Sequence, residues 1–164
     1  MALPAFPRWV NDAAARTVAV GVVVMAALAA TLPALWLAVP LAYGFAARVL
    51  AGPRLSPLAL LATRVVAPRL GRHAKLHPGP PKRFAQAIGC TFSSSALALW
   101  LAGEPVAARA LLGALAVPAL LEAAIGYCVG CQLFGLAMRL GLVPPAVCLE
   151  CADLSRRAGA SVAG

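Results

Sequence analysis

The longest uncharged segment of the chain constrains its fold more than any other feature. Thr17 to Ala47 is a run of 31 residues without a charged side chain. One membrane-crossing helix needs roughly 20 apolar residues, so this segment is too long for one straight span and short for two. The break is expected at Thr31-Leu32-Pro33, because proline is tolerated in the first turn of a new helix. We predict a helical hairpin with spans at about residues 13–30 and 33–50; a re-entrant pair that does not cross fully is the alternative.

The composition favours a membrane protein along the whole chain. Of 164 residues, 62% are hydrophobic, and the mean hydropathy is +0.88, which is too apolar for a soluble domain. The net charge of +9 could indicate nucleic-acid binding, but only 6% of the residues are aromatic and the basic residues lie between apolar segments. That placement favours a bilayer with anionic headgroups as the partner, and no nucleic acid. The N-terminal apolar run is interpreted as a retained first helix.

Two further spans are expected after a basic connection. Residues 51–83 contain arginine and lysine but no acidic residue, and the positive-inside rule places such a segment in the cytoplasm. We predict spans at about residues 84–103 and 106–131 and a cytoplasmic tail at 139–164. The fold class is then all-α: one domain, a polytopic membrane helical bundle with four transmembrane helices. It would be a multi-pass protein of the plasma membrane with both termini in the cytoplasm.

The basic side chains near these spans are expected at the membrane surface. Residues 57–66 predict a short interfacial amphipathic helix, because one of its sides would carry Leu58, Leu61, Ala62 and Val65. Arg16 and Arg48, near the ends of the hairpin, are expected to extend to the lipid headgroups. His73 and His77 lie four residues apart, but the prolines after His77 oppose a helix, so we predict a solvated loop instead of a metal site.

Two C-x-x-C pairs are the strongest candidate site in the chain. Cys128 and Cys131 end the fourth predicted span, and Cys148 and Cys151 follow in the Cys-containing C-terminal tail, with 16 residues between the pairs. Two sulfurs three residues apart can form a disulfide or bind one soft metal ion. The site is therefore expected to carry either thiol chemistry or a metal.

A disulfide between Cys128 and Cys131 requires a departure from regular helical geometry. Residues three apart on a helix have Cβ atoms about 5–6 Å apart, whereas a disulfide needs about 3.5–4.5 Å. Gly126 and Gly130 flank the pair and supply conformational freedom, although their spacing is equally typical of close packing between helices. If a new helical turn began at Cys131, its positive end would stabilise a thiolate at Cys128.

The cysteines leave three functions open. The favoured one is exchange of disulfides or sulfane sulfur with a soluble thiol partner on the cytosolic side, in which Cys128 attacks, Cys131 resolves, and Cys148 and Cys151 pass electrons on. The protein would then be a membrane thiol-disulfide oxidoreductase. The alternative is a non-enzymatic membrane protein with a structural zinc ion on all four cysteines, since their spacing is typical of such sites. The third is a transporter of a small sulfur compound or soft metal ion.

Cys90 and Glu122 are auxiliary candidates. A carboxyl group inside a span costs at least a few kcal/mol, so Glu122 is a functional hypothesis by default. It lies six residues before Cys128, and on a straight helix it would face away from that sulfur. We expect it to meet the third helix at Thr91 or the Ser93-Ser94-Ser95 run, or to stay protonated. Cys90 is interpreted as a small buried hydrophobe or as a third thiol in a relay.

Several short motifs carry a resemblance to a known family. They are Gly52-Pro53-Arg54 with Ser56-Pro57, Pro68-Arg69-Leu70-Gly71, Pro81 with Arg83-Phe84-Ala85-Gln86 and Gly89, and Gly126-Tyr127-Cys128-Val129-Gly130-Cys131. The chain resembles, from roughly Arg16 to Asp153, a family of small, mostly actinobacterial membrane proteins that is defined as a domain of unknown function, number 4395. The resemblance implies a multi-span fold and a thioredoxin-like or rhodanese-like partner, but no activity. The small-residue spans leave homo-oligomerisation open.

Overall fold

The computed structural model describes residues 9–32, 35–70, 76–148 and 151, and within these it is almost entirely helical. The helices are α1 (Asp12–Thr31), α2 (Ala38–Ala51), α3 (Pro57–Leu61), α4 (Ala67–Leu70), α5 (Gly79–Leu101), α6 (Pro105–Ile125) and α7 (Val129–Arg139). A π-helical segment, Ala62–Val66, joins α3 to α4, and short 3-10 turns lie at Leu35–Leu37, Gly52–Arg54 and Pro145–Val147. Two three-residue strands, β1 (Trp9–Asn11) and β2 (Leu76–Pro78), pair antiparallel.

Four helical stretches are long and apolar enough to cross a membrane. They are Asp12–Thr31, Ala38–Arg69, Gly79–Leu101 and Pro105–Ile125. The predicted all-helical, four-span membrane fold is therefore confirmed, and the protein is a multi-pass membrane protein. Pro33, the predicted start of the second helix, lies outside the described residues, as do His73 and most of the tail.

Helix α5 holds the bundle together. It packs against α2, α6 and α7, while α1 packs mainly against α6. The core between these helices consists largely of small side chains, among them Ala26, Ala29, Ala38, Ala62, Ala96 and Ala108, all fully buried. Small residues let helix backbones approach closely, which is how membrane helices gain packing contacts when lipid and core are equally apolar.

The segment predicted as an interfacial helix is helical, because α3, the π-helical turns and α4 follow one another. Ala59 and Ala62 are buried, whereas Leu61 and Val65 are exposed, so the four side chains predicted on one side do not share one environment. The π-helical turns at Ala62–Val66 hold more residues than an α-helical turn, so the 3.6-residue period does not describe this segment. Alanine suits the buried side of this segment because α1 packs closely against it.

Two basic side chains that were expected at the surface are buried instead. Arg48 is 5% exposed; its Nε donates to Gln86 Oε1 at 2.7 Å and its NH1 donates to Ser56 Oγ at 3.2 Å. Lys82 is equally buried, because α5 begins at Gly79 and not near residue 84. Prolines in the first turn favour a helix start, so the segment predicted as the end of the basic loop is the largely buried first turn of α5.

Arg16 and His77 bind groups at the same end of the bundle. Arg16 NH2 donates to the Ala124 carbonyl at 2.6 Å and its Nε donates to the Ala123 carbonyl at 3.3 Å, so it caps the last turn of α6. His77 lies in β2 and not in a loop, with its Nε2 3.3 Å from Asp12 Oδ1. These contacts fix the N-terminal end of α1 against the C-terminal end of α6.

The fourth span is shorter than predicted. Helix α6 ends at Ile125, because Gly126 has a φ of +73°, a left-handed conformation that favours glycine and ends helices. A separate helix, α7, begins at Val129, so the prediction of one continuous helix over 106–131 was wrong. The chain thus breaks directly before and at the first cysteine pair.

Gly126 and Gly130 have different structural roles. Gly126 ends α6, whereas Gly130 lies where α7 touches α5: a Cβ added there would be 2.5 Å from Ala85 Cβ and 2.7 Å from Ala85 Cα. The contact continues at Phe84 and Phe134, whose ring centroids are 5.7 Å apart. Close packing and helix breaking, which the sequence could not separate, are therefore divided between the two glycines.

Replacing Gly130 with alanine should destabilise the protein. The new methyl group would meet backbone on α5 and force α7 outward, at a cost of about 1–3 kcal/mol. Gly135→Ala is the matched control: it lies on the same helix with open space around its Cα, and alanine should gain about 0.5–1 kcal/mol there. Unfolding of the detergent-solubilised variants measures both. Equal stability of the two variants would contradict the packing role of Gly130.

Candidate functional site

Cys128 caps the N-terminus of α7. Its backbone is extended, with φ −89° and ψ 100°, and its Sγ accepts a hydrogen bond from the Cys131 backbone N–H at 3.4 Å. The sulfur thus takes the place of the oxygen that serine or aspartate usually provides at this position. The positive end of the helix dipole favours a negative charge here, so the expectation of a helix start beside Cys128 is fulfilled by α7.

The two cysteines of this pair are free thiols. Both lie beyond Ile125, outside the four membrane-span candidates. The hydrogen bond from the Cys131 side chain is the main cause that lowers the pKa of Cys128, with help from the charge of Lys82 and the Cys131 backbone N–H, and against burial and the charge of Glu122. The same hydrogen bond and burial raise the pKa of Cys131. The Cys128 thiol therefore loses its proton at a lower pH than the Cys131 thiol.

Glu122 forms a buried ion pair with Lys82. The Lys82 ammonium on α5 donates to Glu122 Oε1 on α6, and the two side chains are 6% and 17% exposed. The predicted hydroxyl partners were wrong: Ser93 donates to the Gly89 carbonyl and Thr91 to the Ala87 carbonyl of their own helix. The sequence contained a signal for the true partner of Glu122. An acid inside a span needs a cation, and Lys82 lies in the first turn of the neighbouring helix.

A small cavity lies between Glu122 and Cys128. Its volume is about 110 Å³, and both Glu122 and Cys128 line it, together with Gln86 and mostly apolar side chains. On one straight helix these two residues would face apart. The break at Gly126 changes the direction of the chain and brings both to the same cavity.

Cys90 lies in the apolar packing of α5. It is partly buried against the hydrophobic core, and its Sγ is 4.0 Å from Ser94 Oγ one turn along the same helix. This environment matches the interpretation of Cys90 as a small hydrophobic side chain.

The tail pair is in a different redox state from the first pair. Cys148 and Cys151 are joined by a disulfide, with Cys148 almost fully buried. In the described part of the chain, no group of three or more His, Cys, Asp or Glu side chains is arranged to hold a metal ion. The four sulfurs are therefore not gathered into the zinc site that their spacing suggested, and the tail sulfurs are bonded to each other.

Comparison with protein families gives a match over most of the chain. Residues 10–139 match the model of a family described as a domain of unknown function (DUF4395). The match includes Cys128 and Cys131 and ends before Cys148. No curated protein and no solved structure matches the chain.

Proposed function

We propose, from the premise that the chain belongs to the DUF4395 family, that this membrane protein exchanges thiols and disulfides through Cys128 and Cys131. The observation that carries the proposal is the arrangement of this pair. Cys128 Sγ accepts a hydrogen bond from the Cys131 backbone N–H at the start of α7, and the Cys131 thiol and a buried lysine both lower the pKa of Cys128. Reactive cysteines are found in such electropositive surroundings at helix N-termini.

The exchange proceeds in two balanced steps. The Cys128 thiolate attacks one sulfur of a partner disulfide; the partner S–S bond breaks, a mixed disulfide forms, and the departing thiolate takes up a proton. Cys131 then loses its proton and attacks the Cys128 sulfur, which forms the Cys128–Cys131 disulfide and releases the second partner thiol. Two electrons pass from the pair to the partner, so the partner is reduced.

The helix break makes this second step geometrically feasible. Cys128 precedes α7 with an extended backbone, so its Cβ is not held at the spacing of residues within one helix. Sulfane-sulfur transfer would use the same nucleophile: Cys128 would attack the outer sulfur of a persulfide, become a persulfide itself and release the donor as a thiolate. A shared nucleophile explains why both chemistries remain within the proposal.

We further propose a soluble partner on the cytosolic side, such as a thioredoxin-like or rhodanese-like protein. The excess of basic residues in the connection at 51–83 supports this orientation. The Cys148–Cys151 disulfide supports a second step, in which the tail pair passes electrons between the first pair and that partner.

The test follows the redox state of each cysteine. Reduced, detergent-purified protein is mixed with a disulfide-containing peptide, quenched with acid and alkylated, and its peptides are analysed by mass spectrometry. We expect Cys128 and Cys131 to become resistant to alkylation together while the substrate gains two thiols. In Cys131→Ala, the mixed disulfide on Cys128 should accumulate. Cys90→Ser is the control that should react like the parent. A first pair that remains alkylatable beside an unreduced substrate would contradict the proposal.

A further inference from the structure

A second cavity lies around the buried arginine at the N-terminal end of α1. Its volume is about 390 Å³, within the range of small-molecule sites. Its polar lining includes Arg48, Lys82 and Gln86, and its walls include the buried apolar side chains of Ala14, Val18 and Ala59. We propose that this cavity binds a phosphate group that carries an apolar chain, with Arg48 as the main ligand of the phosphate.

The buried charges beside this cavity are unbalanced. Arg48 is contacted by two neutral oxygens, those of Gln86 and Ser56, and by the face of the Phe45 ring at 4.5 Å. Among the residues that the structure describes, no carboxylate forms an ion pair with Arg48; the Glu122 carboxylate is taken by Lys82. The cluster of Arg48, Lys82 and Glu122 therefore has one excess positive charge in a buried place. An isolated buried charge is strongly unfavourable unless an opposite charge joins it.

The hydrogen-bond donors of Arg48 have the shape that binds a phosphate. An arginine has five N–H groups in a planar fork that matches two oxygens of a phosphate. One N–H direction of Arg48 is used by Gln86 and one by Ser56, which leaves further donors of the fork for a ligand at the cavity. Lys82 lines the same cavity and adds a second cation within reach of an oxyanion.

The apolar wall of the cavity favours a ligand with an alkyl chain. A fully hydrated anion would gain little from alanine and valine side chains, whereas an alkyl chain buries its surface against them. Trp9 and Leu76, which are exposed, also line the cavity. They lie on the paired strands β1 and β2, which therefore form part of its wall.

Trp9 provides the measurement. The chain has three tryptophans, so Trp36→Phe with Trp100→Phe leaves Trp9 as the single fluorophore. In neutral dodecyl maltoside micelles, this protein is titrated with dodecyl phosphate, with inorganic phosphate and with uncharged dodecanol. We expect saturable changes in Trp9 emission with dodecyl phosphate and none with dodecanol. If inorganic phosphate competes with dodecyl phosphate, the site is assigned to free phosphate groups. If it does not compete, the site is assigned to a lipid headgroup.

Two variants test the ligands. Arg48→Gln should weaken binding of dodecyl phosphate at least about tenfold, the effect of losing hydrogen bonds to a charged group, whereas Arg64→Gln, an exposed arginine on the neighbouring π-helical segment, should bind like the parent. Thr63→Leu keeps both cations and fills the cavity, so it should weaken the binding of dodecyl phosphate. This variant tests the site even if Arg48→Gln fails to fold. Unchanged affinity in Arg48→Gln, equal responses to dodecyl phosphate and dodecanol, or full binding in Thr63→Leu would overturn the proposal.

Discussion

Replacing Glu122 with glutamine is expected to lower the free energy of unfolding by about 3–5 kcal/mol, one of the two largest effects of any substitution considered for this chain. The ion pair between Glu122 and Lys82 joins α5 to α6, and both side chains are largely buried. Glutamine removes the negative charge and leaves the Lys82 ammonium without a counter-ion in an apolar place. Unfolding of the purified protein in mixed micelles by increasing SDS measures the change.

Two further variants separate the ion pair from a general effect of removing an acid. Glu104→Gln removes an exposed acid at the start of α6 and should leave stability within about 0.5 kcal/mol of the parent. The double variant Lys82→Met with Glu122→Leu removes both charges and should recover most of the lost stability, because apolar pairs of similar volume often replace buried ion pairs without loss. If the double variant were as unstable as Glu122→Gln, the unpaired lysine would not be the cause.

Replacing Cys131 with alanine is expected to move the pH dependence of Cys128 reactivity upward. The pKa of Cys128 is lowered first by the hydrogen bond from the Cys131 thiol, so loss of this donor should return the pKa toward or above its ordinary value. Only the thiolate reacts, and its fraction at neutral pH falls about tenfold for each unit by which the pKa rises above that pH. Alkylation rates from pH 5 to 10, in protein whose other cysteines are serine, measure the shift.

Cys131→Ser is the matched control for this experiment. A serine hydroxyl can donate to the Cys128 sulfur in place of the thiol, so its pH midpoint should lie below that of Cys131→Ala. Cys128→Ser leaves the Cys131 thiol alone in the same background; burial still raises the pKa of that thiol, so its alkylation midpoint should lie above that of the parent. An alanine variant that keeps the parent's midpoint would show that the hydrogen bond does not set the pKa of Cys128.

The candidate site was predictable in part. The C-x-x-C spacing of Cys128 and Cys131 and the unusual acid at Glu122 are visible in the sequence, because each stands out against its immediate neighbours. Their relation was not visible, since it depends on the chain direction after Gly126. A periodicity argument assumes an unbroken helix, and one left-handed glycine is enough to bring two residues that should face apart to one cavity.

The sequence by itself determined the membrane-spanning helical fold, because hydropathy is a sum over neighbouring residues and every uncharged run must satisfy its backbone hydrogen bonds within a helix in lipid. Tertiary structure alone decided which charged residues are buried. Arg48 and Lys82 look like surface cations in a basic connection, and only the packing of α2, α5 and α6 gives them their partners. Burial of a charge depends on a counter-charge or hydrogen-bond acceptor supplied by another helix, and no local pattern in the chain contains that information.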